Sequence, residues 1–492
     1  MAAETVSGRN KAARDHCTGT IDRKKEDVMA GMATLILSFL CIIWLLVRDR
    51  KLRPMTSRAL WIPLLWVMII GSRSFSGWFA GEVDPGLAAV TYLEGSPADR
   101  NLYLSLIVAG AFILWRRRLD WGKIISSNPW LFALIFYFGV SAVWSDYRLV
   151  SLKAWIKDLG NIIMILILLS ESDRIAAIKA VFARYGYFAI LLSLVLILNF
   201  PELGSYYSSS TGEASYSGVT RNKNEFGQIL VICGVFLVRD LMENLIHSNK
   251  KTGKVDLLIH SALLVVVIWL MKIAGSSTAV ACLALGTVIL IAMHFPPVRS
   301  QVRHLGMYLL ALIPLVLVMN IPFFIRGLVE VLGRDLTFTG RTDIWRSLLS
   351  EPVNPLLGTG FHSFWVAPGV MEDYGNISQA HNGYLETYLN GGFVGVLLLV
   401  AMIVSAGIKL KVKILRGSSL GVLFLAFFIV GIFVNLTEAM FNRLNLVWFV
   451  FLLASLDYPL SPGPMHDVAA DNAASRRRGL RCQGNVRCLD GR

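Results

Sequence analysis

The feature that most constrains this chain is a succession of apolar runs, each close to the length that crosses a lipid bilayer. An α-helix needs roughly 20 mainly apolar residues to span the hydrocarbon core. Only 16% of the residues are charged, whereas soluble proteins carry about 25%. The sequence therefore predicts an all-α, polytopic integral membrane protein with about 12 to 13 transmembrane helices. The runs lie at residues 30–47, 59–77, 102–115, 129–144, 158–170, 185–200, 225–238, 256–274, 278–294, 305–325, 390–408, 418–435 and 444–458.

The connections between these runs alternate in charge. Lysine and arginine are concentrated in every second connection, and such loops face the cytoplasm in membrane proteins. Runs two to thirteen then form a twelve-helix unit with both ends inside, and the first run is an added helix whose N-terminus is outside. The remaining connections are external, and they comprise residues 78–101, 145–157, 201–224, 275–277, 326–389 and 436–443.

The same pattern divides the chain into four parts. A polar, disordered segment is expected over residues 1–28, followed by an extra helix and basic loop over 29–58. The membrane domain is expected over residues 59–460, with 326–389 as a large external loop before the last helices. A basic tail, disordered and cytoplasmic, is expected over residues 461–492.

The net charge of +14 does not by itself indicate nucleic acid. In a membrane protein, an excess of positive charge usually marks loops that face anionic lipid. We therefore expect membrane lipids as partners and no nucleic acid. The cysteines and histidines show no metal-ligand spacing, so we expect catalysis without a metal or another cofactor.

The long external connection is the first candidate for chemistry, because connections of this length are usually functional or disordered. We expect it to carry short helices on the outer surface. Its arginines, among them Arg341, concentrate positive charge on a face where such charge is disfavoured. Arginine binds phosphate oxygens with a bidentate fork and stays charged at any workable pH. Alternatively, these arginines belong to a solvated amphipathic helix and pair with neighbouring carboxylates.

A polar stretch at the end of this loop runs directly into an apolar helix, predicted from about Gly391 to Ile408. Asn382 is a candidate N-cap for a helix that starts there. A helix start presents free N–H groups to an anion, and His381 could exchange a proton with a group held nearby. Alternatively, His381 is an interfacial polar residue, and Gly391 with Gly395 is a close-packing motif between helices.

The external loop at residues 201–224 is rich in tyrosine, serine and glycine. Aromatic and polar side chains together suit sugar rings, and Arg221 and Lys223 could supply a second phosphate contact. The alternative is an interfacial aromatic belt with ordinary charged anchors. Further along, Gly358 and Gly360 predict a flexible turn, which is weak evidence of function when taken alone.

Taken together, the polar stretch resembles a family pattern. His381-Asn382, nine residues, Gly392, two residues and Gly395 form the signature of the O-antigen ligase and polysaccharide polymerase (Wzy/WaaL-like) superfamily. Arg341 in Gly-Arg-x-x-x-Trp and the Gly-Thr-Gly turn at 358–360 are similar to that family too. The amino-acid sequence at residues 155–161, 201–204 and 218–224 looks closest to that of exopolysaccharide polymerases of the ExoQ type.

The resemblance implies a glycosyltransferase that uses a polyprenyl-diphosphate-linked oligosaccharide. It would act on the periplasmic face of the bacterial inner membrane, without nucleotide sugar or metal, and polymerise repeat units into exopolysaccharide. Carried over to this sequence, Arg341, Arg221 and Lys223 bind the diphosphate, and His381 serves the acceptor hydroxyl. Asn382 would hold the imidazole or cap the helix. The implied partners are undecaprenyl-diphosphate-linked oligosaccharide and other polysaccharide assembly and export proteins.

One departure from the family concerns the short turn between the eighth and ninth helices. Many members carry a Ser-Arg pair there, whereas this chain has Ser276-Ser277-Thr278. Lys272, Arg221 or Lys223 would have to replace the missing arginine.

Two other functions stay open at this stage. A ligase that transfers the glycan to lipid A core would use the same machinery with a different acceptor, and the ExoQ-like flanks favour the polymerase. A flippase or transporter would place ionisable residues within the helices and its site at the bilayer midplane. The notable polar residues here fall instead in the predicted external loops.

Overall fold

The computed structural model describes residues 29–79, 96–207, 214–246, 251–311, 341–374 and 377–458. The predicted N-terminal segment over 1–28, most of the first external loop and the tail over 461–492 lie outside these ranges, as do residues 312–340 of the large loop. Within the described chain, one compact unit covers residues 29–119 and 130–456, and a small one covers 120–129 and 457–458.

Helices make up almost all of the regular structure in these ranges, which confirms the predicted all-α class. We number them in chain order: α1 Met29–Leu52, α2 Trp61–Ile70, α3 Pro97–Arg117, α4 Trp121–Ser127, α5 Pro129–Val140, α6 Arg148–Leu169, α7 Arg174–Asn199, α8 Pro201–Gly204, α9 Lys223–Ile246, α10 Lys251–Ala274, α11 Ser277–Ala292, α12 Pro296–Ala311, α13 Arg341–Ser350, α14 Val370–Asp373, α15 Gly383–Leu415, α16 Gly421–Val434 and α17 Leu446–Ser455. Short 3₁₀ turns occur at Arg58–Leu60, Ser76–Trp78, Ser141–Val143, Val302–His304 and Phe364–Val366.

Several of these helices can cross a membrane by length and composition. Five qualify singly, namely α1, α3, α7, α10 and α15, and the number rises to seven if each of two bent helix pairs is one span. One such pair, α11 and α12, bends by 101°. Shorter apolar helices occur at Arg58–Ile70, α16 and α17. Every predicted apolar run overlaps a described helix, and the polytopic membrane class is confirmed.

The only described strands, β1 Ser205–Tyr207 and β2 Ala214–Tyr216, form an antiparallel hairpin in the loop at residues 201–224. In the large loop, α13, a 3₁₀ turn and α14 provide the predicted short helices. Trp345 in α13 is buried and donates its indole N–H to the carbonyl of Ala380 at 2.8 Å. This contact ties α13 to the polar stretch that precedes α15.

The helix α15 begins at Gly383, directly after the predicted cap Asn382 and before the apolar part predicted from about Gly391, and it is broken at Gly392. Gly392 has φ +58° and ψ −162°, a conformation that side chains with a Cβ rarely adopt. A Cβ there would lie 2.3 Å from the carbonyl of Leu356. The apolar pattern marked only the second part of α15, because its first turns are polar and are held by a cap.

The break at Gly392 lets a loop segment interlock with α15. The backbone N–H of Thr359 donates to the carbonyl of Leu389 at 2.9 Å, and that of Phe393 donates to Pro355 at 2.8 Å. Gly358 has φ +69°, and a Cβ on it would lie 2.5 Å from the backbone of Asn390. The Gly-Thr-Gly turn and Gly392 of the signature are therefore parts of one backbone contact.

Candidate functional site

His381 lies immediately before α15, in a left-handed backbone conformation with φ +50°. The next residue, Asn382, is buried and caps the helix, because its Oδ1 accepts from the backbone N–H groups of Tyr384 and Leu385 at 3.0 and 3.1 Å. This confirms the predicted N-cap. A non-glycine residue rarely adopts a positive φ unless its surroundings hold it there. The cap thus fixes where the imidazole of His381 is presented.

The imidazole of His381 faces a carboxylate from a distant part of the chain. Its Nδ1 lies 3.2 Å from Oε2 of Glu438, in the turn between α16 and α17. Glu438 is only 3% exposed, so its charge needs partners within the protein. Its other oxygen, Oε1, accepts from Nη2 of Arg341 at 2.9 Å. Glu438 therefore joins His381 and Arg341, two residues that the sequence had assigned to the site separately.

Arg341 is further tied to this turn, because its Nη1 donates to the backbone carbonyl of Thr437. The hydroxyl of Thr437 in turn lies 3.4 Å from that of Thr278. Thr278 lies in the first turn of α11, at the position where the resemblance would place a Ser-Arg pair, so the start of α11 reaches the site. Ser276 caps α11 through its hydroxyl.

A second buried carboxylate supports the stretch before His381. Glu386, one turn into α15, is 3% exposed and accepts from the indole N–H of Trp365 at 3.0 Å. It also accepts from the backbone N–H of Ala380 at 2.9 Å. Arg443 lies 3.8 Å away from its Oε1. Glu386 thus ties the stretch before His381 to the first turns of α15 and to Trp365.

A polar cavity of about 520 Å³ opens beside this cluster. Its walls come from α6, from the start of α9, from the loop after α2 and from the turn after α16. Glu438 lines it directly, which connects the cavity to His381 and Arg341. Of the predicted diphosphate ligands, Arg221 lines this cavity and is well exposed. Lys223 does not line it; its backbone N–H lies 3.4 Å from the hydroxyl of Tyr206.

His362 also lines the cavity. Its Nε2 donates to the backbone carbonyl of Asn442 at 3.0 Å, so the ring is held against the turn after α16. Burial, together with the nearby positive charge of Arg443, lowers the pKa of His362 to about 4. The ring is therefore neutral at pH 7 and lines the cavity without adding charge.

No three His, Cys, Asp or Glu side chains converge on a metal-sized site within the residues that the structure describes. Metal-independent chemistry stays a prediction. The roles assigned to His381, Arg341, Arg221 and Lys223 stay predictions as well.

The sequence missed two residues of this site, Glu438 and Glu386. Both are acids beside or inside apolar helices, where an uncompensated charge is costly. Acidic residues are therefore rare at such positions, and this was the signal in the sequence that could have identified the two glutamates. Their partners could not be read from it, because Glu438 lies 57 residues from His381 in the chain.

The helices and this polar cluster define a polytopic membrane protein with a histidine–glutamate–arginine site at a helix start. Residues 262–400 match the family model described as O-antigen ligase. The matched range contains Arg341 and the His381 signature, and it ends before Glu438. A further comparison finds 24% identity over 311 residues with "Exopolysaccharide production protein ExoQ" of Rhizobium meliloti (strain 1021), which covers 58% of this chain and 67% of that protein. These matches confirm the resemblance to the O-antigen ligase and polysaccharide polymerase superfamily, including its ExoQ-type members.

Proposed function

We propose that this protein is a glycosyltransferase that polymerises polyprenyl-diphosphate-linked oligosaccharides into exopolysaccharide at the periplasmic face of the inner membrane. The observation that carries the proposal is the contact series from His381 through Glu438 to Arg341. It combines a proton acceptor, a group that orients it and a cation in one place. The likeness to an exopolysaccharide production protein supports the choice of product.

In the proposed reaction, His381 carries its proton on Nδ1, and this N–H donates a hydrogen bond to Oε2 of Glu438. The distance of 3.2 Å between Nδ1 and Oε2 fits such a bond. The free lone pair of Nε2 then takes the proton of an acceptor hydroxyl as that oxygen attacks the anomeric carbon of the donor. The bond from that carbon to the diphosphate breaks, and the polyprenyl diphosphate leaves with the bonding electrons. Glu438 stabilises the imidazolium that forms.

Positive charge is needed where the diphosphate departs, because its negative charge grows in the transition state. Arg221 at the cavity and Arg341 beside Glu438 are the arginines that we assign to this task. A single displacement of this kind inverts the anomeric configuration. A product that retained the donor's configuration would contradict this mechanism.

The test is to express His381→Ala in cells and to analyse both the lipid-linked oligosaccharides and the exported polysaccharide. We expect single repeat units to accumulate and polymer to disappear. The matched control is His304→Ala, since His304 is an exposed histidine in the 3₁₀ turn within α12. Normal polymer in the His381→Ala cells, at an unchanged level of membrane protein, would refute the proposal.

The family match favours one other function, transfer of a finished glycan to lipid A core by an O-antigen ligase. Both reactions share the donor and the leaving group, and only the acceptor differs. The same experiment separates them, because a ligase variant would leave long polymer intact but unattached to lipid A core.

A further inference from the structure

The cavity beside Glu438 is lined by equal numbers of acidic and basic side chains. The acids are Asp99, Asp158, Glu225 and Glu438, and the bases are Lys153, Lys157, Arg221 and Arg443. Equal numbers of acids and bases do not mean that a bound ligand would meet no net charge. What matters for a ligand is which charges are already bound by the protein.

The carboxylates have protein partners. Asp99 accepts from the backbone N–H of Ser76 at 2.9 Å and from the Ser76 hydroxyl. Asp158 accepts from the indole N–H of Trp448 at 2.9 Å and from the amide of Asn161 at 3.0 Å. Glu438 is bound as described above. These hydrogen bonds hold the carboxylates in place on the cavity wall and favour their ionised form.

The two arginines are also engaged, to different degrees. Arg443 donates to the carbonyl of Ser378 at 2.8 Å and lies 3.8 Å from Glu386. Arg221 lies 3.7 Å from Glu225 on an exposed surface, where such a pair contributes little.

The two lysines differ from the arginines. Lys153 and Lys157 are four residues apart on α6, so they occupy the same face of the helix. The Nζ of Lys157 lies 5.7 Å from the centre of the Tyr103 ring, and Tyr103 also lines the cavity. Among the described residues, neither lysine forms an ion pair within 4.0 Å. The cavity thus holds two cations on one wall that no carboxylate of the described residues contacts closely, although the charge of Asp99 acts on Lys157 from further away.

A lysine near a helix end can instead anchor the helix to lipid headgroups. Such an anchor extends outward to the membrane surface. Lys157 is only partly exposed, and it rests on a buried aromatic ring inside the cavity. The ring attracts the ammonium but carries no net charge, so it does not form an ion pair with Lys157.

We propose that Lys153 and Lys157 bind an anionic group of the substrate, either a phosphate of the lipid-linked donor or a carboxylate on a sugar. This inference rests on the proposed glycosyl transfer, because it places a substrate in the same cavity. It assigns part of the anion binding to α6. Arg341, which the sequence favoured for that role, already has its guanidinium on Glu438 and Thr437.

The experiment measures binding without turnover, on the purified full-length protein in detergent at low ionic strength. Isothermal titration calorimetry is run with two probes, inorganic pyrophosphate and an oligoglucuronate. We expect each lysine-to-glutamine replacement to lower the affinity for one probe about tenfold, and the two losses to combine in the Lys153→Gln, Lys157→Gln double variant. Loss for pyrophosphate identifies the phosphate as ligand, and loss for oligoglucuronate identifies the sugar carboxylate.

Three controls make the result decisive. The Lys153→Arg, Lys157→Arg variant keeps the charge and should keep the affinity, while Lys123→Gln alters an exposed lysine outside the cavity and should change nothing. The thermal midpoint of each variant checks its folding. The proposal is overturned if the wild type binds neither probe, if the glutamine variant binds as tightly as the wild type, or if the arginine variant loses affinity equally.

Failure of this inference is distinguishable from failure of the proposed function. His381→Ala should bind both probes as the wild type does, because His381 does not line the cavity. Normal polymer in His381→Ala cells would refute the catalytic assignment and leave the binding result unaffected.

Discussion

Replacement of Glu438 by glutamine removes one charge from the site and hardly changes its shape. The glutamine oxygen can still accept from Arg341, as Oε1 of the carboxylate does at 2.9 Å. The amide nitrogen then faces Nδ1 of His381, where the carboxylate oxygen lies at 3.2 Å in the wild type. Nδ1 can only accept from that N–H if the imidazole carries its proton on Nε2. That tautomer has no lone pair on Nε2 to take a proton from the acceptor hydroxyl.

The size of the effect follows from the lost interaction with the imidazolium. A hydrogen bond to a charged partner contributes about 1.5–3 kcal/mol, and about 1.4 kcal/mol in the barrier corresponds to a tenfold change in rate. With about 2 kcal/mol lost, the Glu438→Gln rate should fall roughly 30-fold. The unfavourable tautomer should add to this loss.

The assay is the initial rate of polymer formation by purified protein from a lipid-linked repeat unit, with products separated by size. Glu202→Gln is the matched control, because Glu202 is an exposed glutamate on α8. The thermal midpoint shows whether the variant is folded, since Arg341 loses its carboxylate partner. A folded Glu438→Gln protein that works at the wild-type rate would refute the assignment of Glu438 as the residue that orients His381.

Two further predictions concern stability. Gly392→Ala should lower the free energy of unfolding by about 2–4 kcal/mol, which appears as a lower thermal midpoint. The added Cβ would lie 2.3 Å from the Leu356 carbonyl, and φ at this position is +58°. Gly253→Ala, with no atom within 4 Å of the added Cβ, should leave the midpoint unchanged or slightly higher, and equal effects of the two variants would contradict the interlock. His362 has a pKa of about 4 in the folded protein and about 6.5 when unfolded, so the unfolded chain binds the extra proton between these values. Stability should therefore fall as the pH drops from 6.5 to 4, by up to about 3 kcal/mol, and His362→Gln should remove that part of the decline in unfolding measurements across this range. The same decline in the variant would show that another group causes it.

Much of the fold could be predicted from local signals. The apolar runs marked the helices, because the length of an apolar segment is set by the bilayer and not by tertiary partners. Asn382 was recognisable as a cap, since capping depends only on the two or three residues that follow. The apolar pattern alone marked α15 only from about Gly391, because apolar character does not report on polar turns that a cap stabilises.

The rest of the site depends on contacts between distant segments. Neither the hydrogen bond from Arg341 to Glu438 nor the packing of Gly358 against Asn390 has a local signature. For the same reason, the sequence favoured Arg341 as a phosphate ligand without revealing the carboxylate that already binds it. Of the two lysines on α6, only Lys157 lies in the stretch at residues 155–161 that resembles the ExoQ type, and only the cavity gives either lysine a candidate role.

The way in which α15 is broken has a consequence for redesign of this protein. The turn that presents His381 is positioned by backbone hydrogen bonds and by the buried groups around Glu386, whereas the cavity walls on α6 and α9 consist of side chains from other helices. Under the proposed function, the walls that would contact the sugars and the turn that would accept the proton are thus largely separate parts of the molecule, which meet at Glu438. Residues of the cavity wall could be exchanged to admit a different repeat unit while the geometry around the imidazole stays as it is.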